Sequence, residues 1–354
     1  MIITINTDRK YNILLEEGII NTIGSKLAET HSPCKVCVIS DTNSEKYWGA
    51  PLKNSLEGFG FNVHTMVFPP GEQSKSFACL EKITEYLAIN QFTRYDFLIG
   101  LGGGVIGDLT GFAASVYMRG MDFYNVPTTL LSAVDSSVGG KTAINLPTGK
   151  NMVGTFWQPR GVFFDINTLK TLPPSQMKNG LGEVIKAGVI MDETIISLLE
   201  NSWPTRLPEI LPELIFRSIR VKKEIVELDE REKGLRQTLN LGHTAGHAIE
   251  KLSDFKIPHG QAVSMGLMTM AKISERLGWA DENMSYRLLH LYQRYDIKVQ
   301  CPYLAADVAR EITADKKRRG DHITLAVPLK IGHCTLRNLP MAEISQLLLK
   351  GMEY

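Results

Sequence analysis

Asp96–Asp108 reads DFLIGLGGGVIGD, an apolar run that gives way to three glycines and then to an aliphatic segment. Asp96–Leu101 has the length and composition of a buried strand. Past the glycines the pattern turns helical as far as Met118, so the stretch is expected to be strand, glycine turn and helix. Glycine lets a backbone approach a diphosphate closely, and the helix N-terminus behind it offers free N–H groups and a positive dipole end. Gly102, Gly104 and Gly107 also satisfy G-x-G-x-x-G. However, several elements precede this one, and no acidic residue obviously ends the next strand. A phosphate cradle is the preferred reading, and a tight structural turn is the alternative.

The segments upstream fit the same α/β pattern. MIITINTDRKYNILLEEG alternates like strands rather than a signal peptide. Lys35–Ser40 (KVCVIS) and Asn62–Phe68 (NVHTMVF) read as strands, the second closed by Pro69-Pro70-Gly71. Ser74 to Asn90 is helical, with Phe77, Leu80, Ile83 and Leu87 on one face. The first of these strands ends at Asp41-Thr42-Asn43, and open α/β sheets bind ligands at the carboxyl ends of their strands. A carboxylate there suits ribose hydroxyls and repels a 2′-phosphate, which points to NAD rather than NADP. Asp41 would serve equally as a helix N-cap.

Downstream, Asp122–Val126 (DFYNV) is a further strand, followed by Pro127-Thr128-Thr129 and LLSAVDSSVGGKTAINLPTGKN. Two glycines precede Lys141, but Asp135 occupies the place of the first glycine of a nucleotide-binding P-loop, so that motif fails. Asp135, Lys141, Lys150 and Asn151 near a glycine turn suit a small anionic molecule.

Composition excludes other classes. With 39 basic and 38 acidic residues, the chain is no general nucleic-acid or membrane-surface binder. No apolar run reaches the ~18 residues that span a bilayer. At 354 residues two domains are expected. The five scattered cysteines suit a reducing cytoplasm, with Cys34 and Cys37 read as thiols packed in a strand rather than a metal ribbon.

The second half concentrates histidines in Arg236–Gly260, RQTLNLGHTAGHAIEKLSDFKIPHG. His243 and His247 at i, i+4 would share a helix face, and His259 follows in a Pro-His-Gly turn. Thr244 stands where a zinc-protease helix has glutamate, so that motif is absent. A carboxylate ligand is expected upstream in Gly180–Gly188, GLGEVIKAG, where Glu183 and Lys186 interrupt an apolar helix. Charged groups buried in such a helix require partners. Glu183 with His243 and His259 would give three ligands and an open position, the pattern of a catalytic zinc.

Taken together, PGEQSKS at Pro70–Ser76, GGGVIGDLTGF at Gly102–Phe112 and YMRG at Tyr117–Gly120 are similar to the 3-dehydroquinate synthase family. VPTTLLSAVDSSVGGKTAIN from Val126, GKNMVGTFWQP from Gly149 and GEVIKAG from Gly182 continue the resemblance. It extends through Glu230–Glu250, Pro258–Gly260 and Asp315-Lys316-Lys317 and covers nearly the whole chain.

This resemblance implies an α/β NAD-binding domain over 1–165 and a mostly α-helical metal-binding domain over 166–354. It implies an active site in the cleft between them, a homodimer and a cytoplasmic location. The substrate would be 3-deoxy-D-arabino-heptulosonate 7-phosphate, and the products 3-dehydroquinate and phosphate. The implied sequence is transient oxidation at C5 by NAD, β-elimination of phosphate, re-reduction, ring opening and an intramolecular aldol closure. A metal, zinc or cobalt, would polarise the C5 oxygen.

By the same resemblance Glu183, His243 and His259 are the metal ligands, and His247 becomes a polar contact near the phosphate. Asp41, Asn43, Glu72, Lys75, Gly103, Gly104, Asp108, Thr128 and Thr129 fall where the family holds NAD, as do Thr168, Leu169, Lys170 and Thr171. Substrate contacts would be Lys141, Lys150, Asn151, Lys222, Arg236, Asn240 and Lys316 or Lys317. Arg119 would reach the phosphate bound by a neighbouring subunit. Asp135 and Lys186 would orient hydroxyls and relay protons, and with His247 at the phosphate they make up the expected catalytic group. Three rivals are weighed. A cyclase such as 2-deoxy-scyllo-inosose synthase acts on a substrate without a carboxylate, against which Arg236 and the nearby lysines argue. A glycerol or alcohol dehydrogenase would accumulate NADH, and a metabolite-binding protein would not turn over.

Overall fold

The computed structural model describes residues 1–280, 283–316 and 321–352, with the backbone alone at 315 and 316. The chain divides into two compact units, Met1–Pro173 and Pro174–Tyr354. The division falls later than residue 165 because Ile166–Thr171 is tied to the first unit. Trp48 Nε1 donates to Thr171 Oγ1 (3.3 Å), and Lys170 Nζ lies 3.2 Å from Glu17 Oε1. Pro174 then opens a new helix, a position where proline costs no hydrogen bond.

The first unit is built on a seven-stranded sheet. Its strands are β1 (Ile2–Ile5), β2 (Tyr11–Glu16), β3 (Lys35–Asp41), β4 (Asn62–Phe68), β5 (Phe97–Gly102), β6 (Asp122–Pro127) and β9 (Gly161–Asp165). The order is β1-β2-β9-β6-β5-β3-β4, antiparallel only between β1 and β2. β7 (Lys141–Leu146) and β8 (Gly149–Phe156) form a separate hairpin. Strand alternation sends Cys37, Ile39 and Leu98 into one apolar cluster and Val36, Val38, Phe97 and Ile99 into another.

The 77–89 helix buries Leu80, Ile83 and Leu87 as its spacing suggests, but Phe77 in its first turn is 54% exposed. The glycine-led helix, Gly104–Val116, is followed by a 3₁₀ turn, Tyr117–Arg119. A Cβ on Gly111 would come within 2.4 Å of Thr142 Cγ2, so glycine is what lets the β7–β8 hairpin settle on this helix. Cys37 is buried in β3 while Cys34 lies just before it, half-buried, and both thiols are free. Burial raises their pKa values to about 12 and about 11.

The second unit is mostly helical, as expected, with one hairpin, β10 (His322–Lys330) and β11 (His333–Pro340). Its central helix, His259–Arg276, is buried along most of its length. It crosses Pro174–Ile190 and His243–Leu252 at glycines. A Cβ on Gly182 would stand 2.3 Å from Gly260 O, and one on Gly266 would stand 2.0 Å from Gly242 O. These crossings set Glu183, His243 and His259 at the meeting of three helices. Among the described residues, no helix is long and apolar enough to cross a membrane.

Candidate functional site

In the first unit, β3 lies between β4 and β5, the next two strands of the chain, so the path reverses across the sheet at the carboxyl ends of β3 and β5. Such a switch point is where open α/β sheets bind ligands. Asp41, Gly102 and Thr128 meet there. A Cβ on Gly102 would lie 3.0 Å from Asp41 Oδ2, and Thr128 N donates to Gly102 O (3.0 Å). Asp41 is a helix N-cap in this structure. Its Oδ1 accepts from Asn43 N (2.9 Å) and Ser44 N (3.0 Å), and its Oδ2 accepts from Ser44 Oγ (3.0 Å). Ser44 Oγ also lies 3.0 Å from Thr128 Oγ1.

The Gly104–Val116 helix starts at Gly103 without any side-chain cap, leaving its first N–H groups to a ligand. Cβ atoms on Gly103 and Gly104 would press on Thr129 Cγ2 (3.2 Å) and Ser136 Oγ (2.8 Å). The bare backbone there leaves room for a close approach to the helix start. Thr129 Oγ1 accepts from Ser132 N (3.1 Å) and so shapes the turn. Thr168 and Leu169 are buried, and the hydroxyls of Thr168 and Thr171 donate to local carbonyls, while Lys170 is exposed.

Beside the glycine turn, buried Lys75 pairs with both Asp108 Oδ2 and Asn151 Oδ1. Burial raises the pKa of Asp108, and the Lys75 ion pair only partly offsets that. Glu72 takes Asn145 Nδ2 (2.7 Å) and faces Lys150 Nζ (3.6 Å). Asn151 N donates to Asn145 Oδ1 (2.9 Å), with Asn151 in the left-handed region at φ 56°. A strained asparagine held by a network is common at ligand sites. This structure therefore joins residues expected for cofactor (Glu72, Lys75, Asp108) with residues expected for substrate (Lys150, Asn151). Asn145, the residue that links them, carried no signal in its TAIN context. Asp135 sits in the turn Ser132–Ser136, and exposed Lys141 opens β7. Arg119 is exposed, with φ 65° next to Met118 at φ 48°.

The second unit holds a candidate cation site. Glu183 is 2% exposed, and neither of its oxygens makes a hydrogen bond of good geometry within the described residues. Lys186, one turn on and 3% exposed, forms an ion pair with Glu183 Oε2. His243 Nε2 stands 3.7 Å from Glu183 Oε1 and His259 Nε2 stands 3.4 Å from it. The δ nitrogens face acceptors: His243 Nδ1 is 3.3 Å from Leu241 O, and His259 Nδ1 is 3.1 Å from Glu250 Oε2. With the proton on its δ nitrogen alone, each ring would turn an ε lone pair toward Glu183, as metal-binding histidines do. One ligand atom from each of the three residues lies within 4.8 Å of the others, and this donor set fits a divalent metal. His247 does not belong to it: the ring is exposed and its donor groups instead with Glu250 and His259.

The electrostatics divide the two imidazoles. Burial would raise the pKa of Glu183, but Lys186 and the two imidazoles hold it well below the usual carboxylate range. Burial, reinforced by Lys186, drives His243 well below its usual value and keeps it neutral. Burial alone would lower His259 too, but the neighbouring carboxylates of Glu183 and Glu250 raise it to about 10, so a cation arriving at Nε2 displaces a proton there.

In the same unit, Lys222 is 9% exposed on the Leu207–Leu228 helix, whereas half-buried Lys223 pairs with Glu227 (3.2 Å). Arg236 is buried and donates through Nη1 to Glu230 O. Its loop is gathered by Asp229, which accepts from Lys233 N (2.9 Å), Gly234 N (2.7 Å) and Arg236 N (3.0 Å). Asn240 Nδ2 donates to Glu232 Oε1 (2.8 Å). Sequence reading missed Asp229, Glu232 and Glu250, whose charged neighbourhoods look like ordinary helix surface. Lys317, expected to contact substrate, lies outside the described residues, and of Lys316 only the backbone is described.

Residues 65–179 match the family described as 3-dehydroquinate synthase N-terminal, and residues 180–318 match its C-terminal counterpart. The 3-dehydroquinate synthase of Clostridium kluyveri is 40% identical over 340 residues, covering 95% of each chain. Among solved structures, 2-deoxy-scyllo-inosose synthase complexed with carbaglucose-6-phosphate, NAD+ and Co2+ superimposes with a TM-score of 0.88 at 25% identity, covering 99% of this chain and 100% of that one. The 2-epi-5-epi-valiolone synthase of Streptomyces hygroscopicus, with NAD+ and Zn2+ bound, shares the fold with a TM-score of 0.88 at 23% identity, covering 98% of each chain.

Proposed function

Because the chain belongs to the 3-dehydroquinate synthase family, we propose that it converts 3-deoxy-D-arabino-heptulosonate 7-phosphate to 3-dehydroquinate and phosphate. It is then a carbon–oxygen lyase of aromatic amino acid biosynthesis that uses NAD and zinc or cobalt. The observation that carries the reading is buried Glu183 grouped with His243 and His259, with Lys186 beside it. When bound, the metal supplies a Lewis acid for the C5 oxygen, and NAD accepts and returns the hydride.

The chain's own groups do the rest. Glu183, His243 and His259 hold the cation, and the N–H groups at Gly103 and Gly104 receive the cofactor diphosphate. Asp41, Asn43, Glu72, Lys75, Asp108, Thr128 and Thr129 border that cradle, with Thr168–Thr171 as a further cofactor stretch. Lys222 and Arg236 grip the carboxylate, since a guanidinium can meet it with two parallel hydrogen bonds. Lys141, Lys150, Asn151 and His247 take the phosphate end, with Arg119 supplied by a second subunit of a homodimer. Asp135, Lys186 and Asn240 orient hydroxyls, and Lys317 completes the substrate contacts. The departing phosphate can itself carry away the C6 proton, so no side chain is assigned as sole base. Residence in the cytoplasm is part of the proposal, and the free cysteines suit it.

Against 2-deoxy-scyllo-inosose synthase stands the higher identity to the acid-processing relative, together with the buried Lys222 and Arg236. A comparison of substrates tests this directly. The purified protein should release phosphate from the heptulosonate phosphate, and release from glucose 6-phosphate alone would reverse the assignment.

A further inference from the structure

We propose that Glu250 is the positioning carboxylate of the metal centre, accepting a hydrogen bond from His259 Nδ1 and so aiming Nε2 at the point it shares with Glu183. This rests on the reading of Glu183, His243 and His259 as metal ligands. Glu250 is 3% exposed, and its Oε2 lies 3.1 Å from His259 Nδ1. On the other side of the same ring, Nε2 lies 3.4 Å from Glu183 Oε1. The imidazole is thus held between two buried carboxylates, one on each nitrogen.

The chain path explains the pairing. Glu250 stands on the His243–Leu252 helix, so the segment that supplies one ligand also steadies another. The turn between Glu250 and His259 is stapled at its base. Ser253 Oγ donates to Glu250 O (2.7 Å) and accepts from Ile257 N (3.1 Å), and Phe255 N also donates to Glu250 O (2.8 Å). A fixed backbone on both sides leaves the carboxylate little freedom to leave the ring. A carboxylate on the far nitrogen fixes the tautomer of a metal-bound histidine and raises its basicity.

Glu250 also lies with His247 and His259 within reach of a second cation. That arrangement would require both nitrogens of His259 to bind metal, stripping the ring of its last proton. The hydrogen bond needs only the ordinary neutral imidazole.

The test measures zinc binding to the full-length protein, to E250A and to E250Q, by competition with a chromophoric chelator and by metal counting. Nitrogen-15 NMR of His259 runs alongside. The wild type should bind one zinc per chain, and E250A should bind about 10–100-fold more weakly. E250Q, whose amide oxygen can accept the same hydrogen bond, should recover most of the loss and retain the Nδ1–H signal. Where E250A does not fold, that signal in E250Q decides: its presence supports the proposal and its absence overturns it. Zinc affinity unchanged in E250A, E250Q no better than E250A, or two zincs per wild-type chain would each overturn it. A wild type that binds no zinc defeats the ligand reading itself, an outcome separate from any difference among the variants.

Discussion

Gly182 and Gly260 meet so closely that a Cβ on the first would lie 2.3 Å from the carbonyl oxygen of the second. The next residue after Gly182 is Glu183, and the one before Gly260 is His259, so this contact sets the distance between a carboxylate and an imidazole. Gly182→Ala must push the helices apart. We expect a loss of about 1–3 kcal/mol in metal-free stability, as for other overpacked cores, with weaker zinc binding. Urea unfolding with and without zinc measures both, and unchanged zinc affinity would show that the crossing does not set the site.

Ligand and neighbour should separate cleanly in the histidines. Glu183→Gln, His243→Ala and His259→Ala are each expected to lose bound metal and turnover together. His247→Ala should keep one metal per chain while weakening substrate binding. Metal analysis of the purified variants, paired with KM, checks this; metal loss in His247→Ala equal to that of His243→Ala would contradict the ligand set.

Removing the metal with a chelator should abolish turnover, and adding back zinc or cobalt should restore it. Recovery with neither ion would count against a Lewis-acid role.

Two adjacent lysines make a sharper comparison. Lys222 is buried, while half-buried Lys223 is paired with Glu227. Lys222→Ala is expected to raise KM for the acid substrate at least tenfold, about 1.4 kcal/mol, whereas Lys223→Ala should leave KM within about 0.5 kcal/mol of wild type. Equal kinetic effects would show that the lysines do not divide in this way.

Much of this was legible in the sequence because local patterns were unambiguous. The apolar run before Gly102 read as a buried strand, which the fold bears out, and its glycines favoured a close backbone approach over a plain turn. Glu183 was visible because a charge in GLGEVIKAG breaks an otherwise apolar helix. Glu250 was not, since a glutamate near a lysine at a helix end looks like ordinary surface, and only the return of the chain at His259 gives it a partner. Asn145 was hidden for the same reason: its role depends on hairpin register, which brings it to Glu72 and Asn151. Asp41 was ambiguous in sequence, and its N-cap geometry emerged only from the fold.

Stability should carry a trace of Asp122, which joins Arg9 and Arg160 at the start of β6. Burial alone would raise its pKa, but hydrogen bonds from Arg160 and Arg9 hold it below the ordinary 3.8. A carboxylate depressed on folding stabilises fully above its unfolded pKa, and that contribution fades as pH falls through the folded value. Asp122→Asn should therefore be less stable at neutral pH and lose less stability on acidification below about pH 4. Denaturant midpoints across that range test it, and parallel curves for the two proteins would contradict it.

The most direct measurement supplies the purified protein with 3-deoxy-D-arabino-heptulosonate 7-phosphate, catalytic NAD and zinc or cobalt, and follows phosphate, dehydroquinate and NADH together. Equal release of phosphate and dehydroquinate with no net NADH is the expected result. Accumulating NADH, or no turnover despite bound NAD and metal, would contradict it.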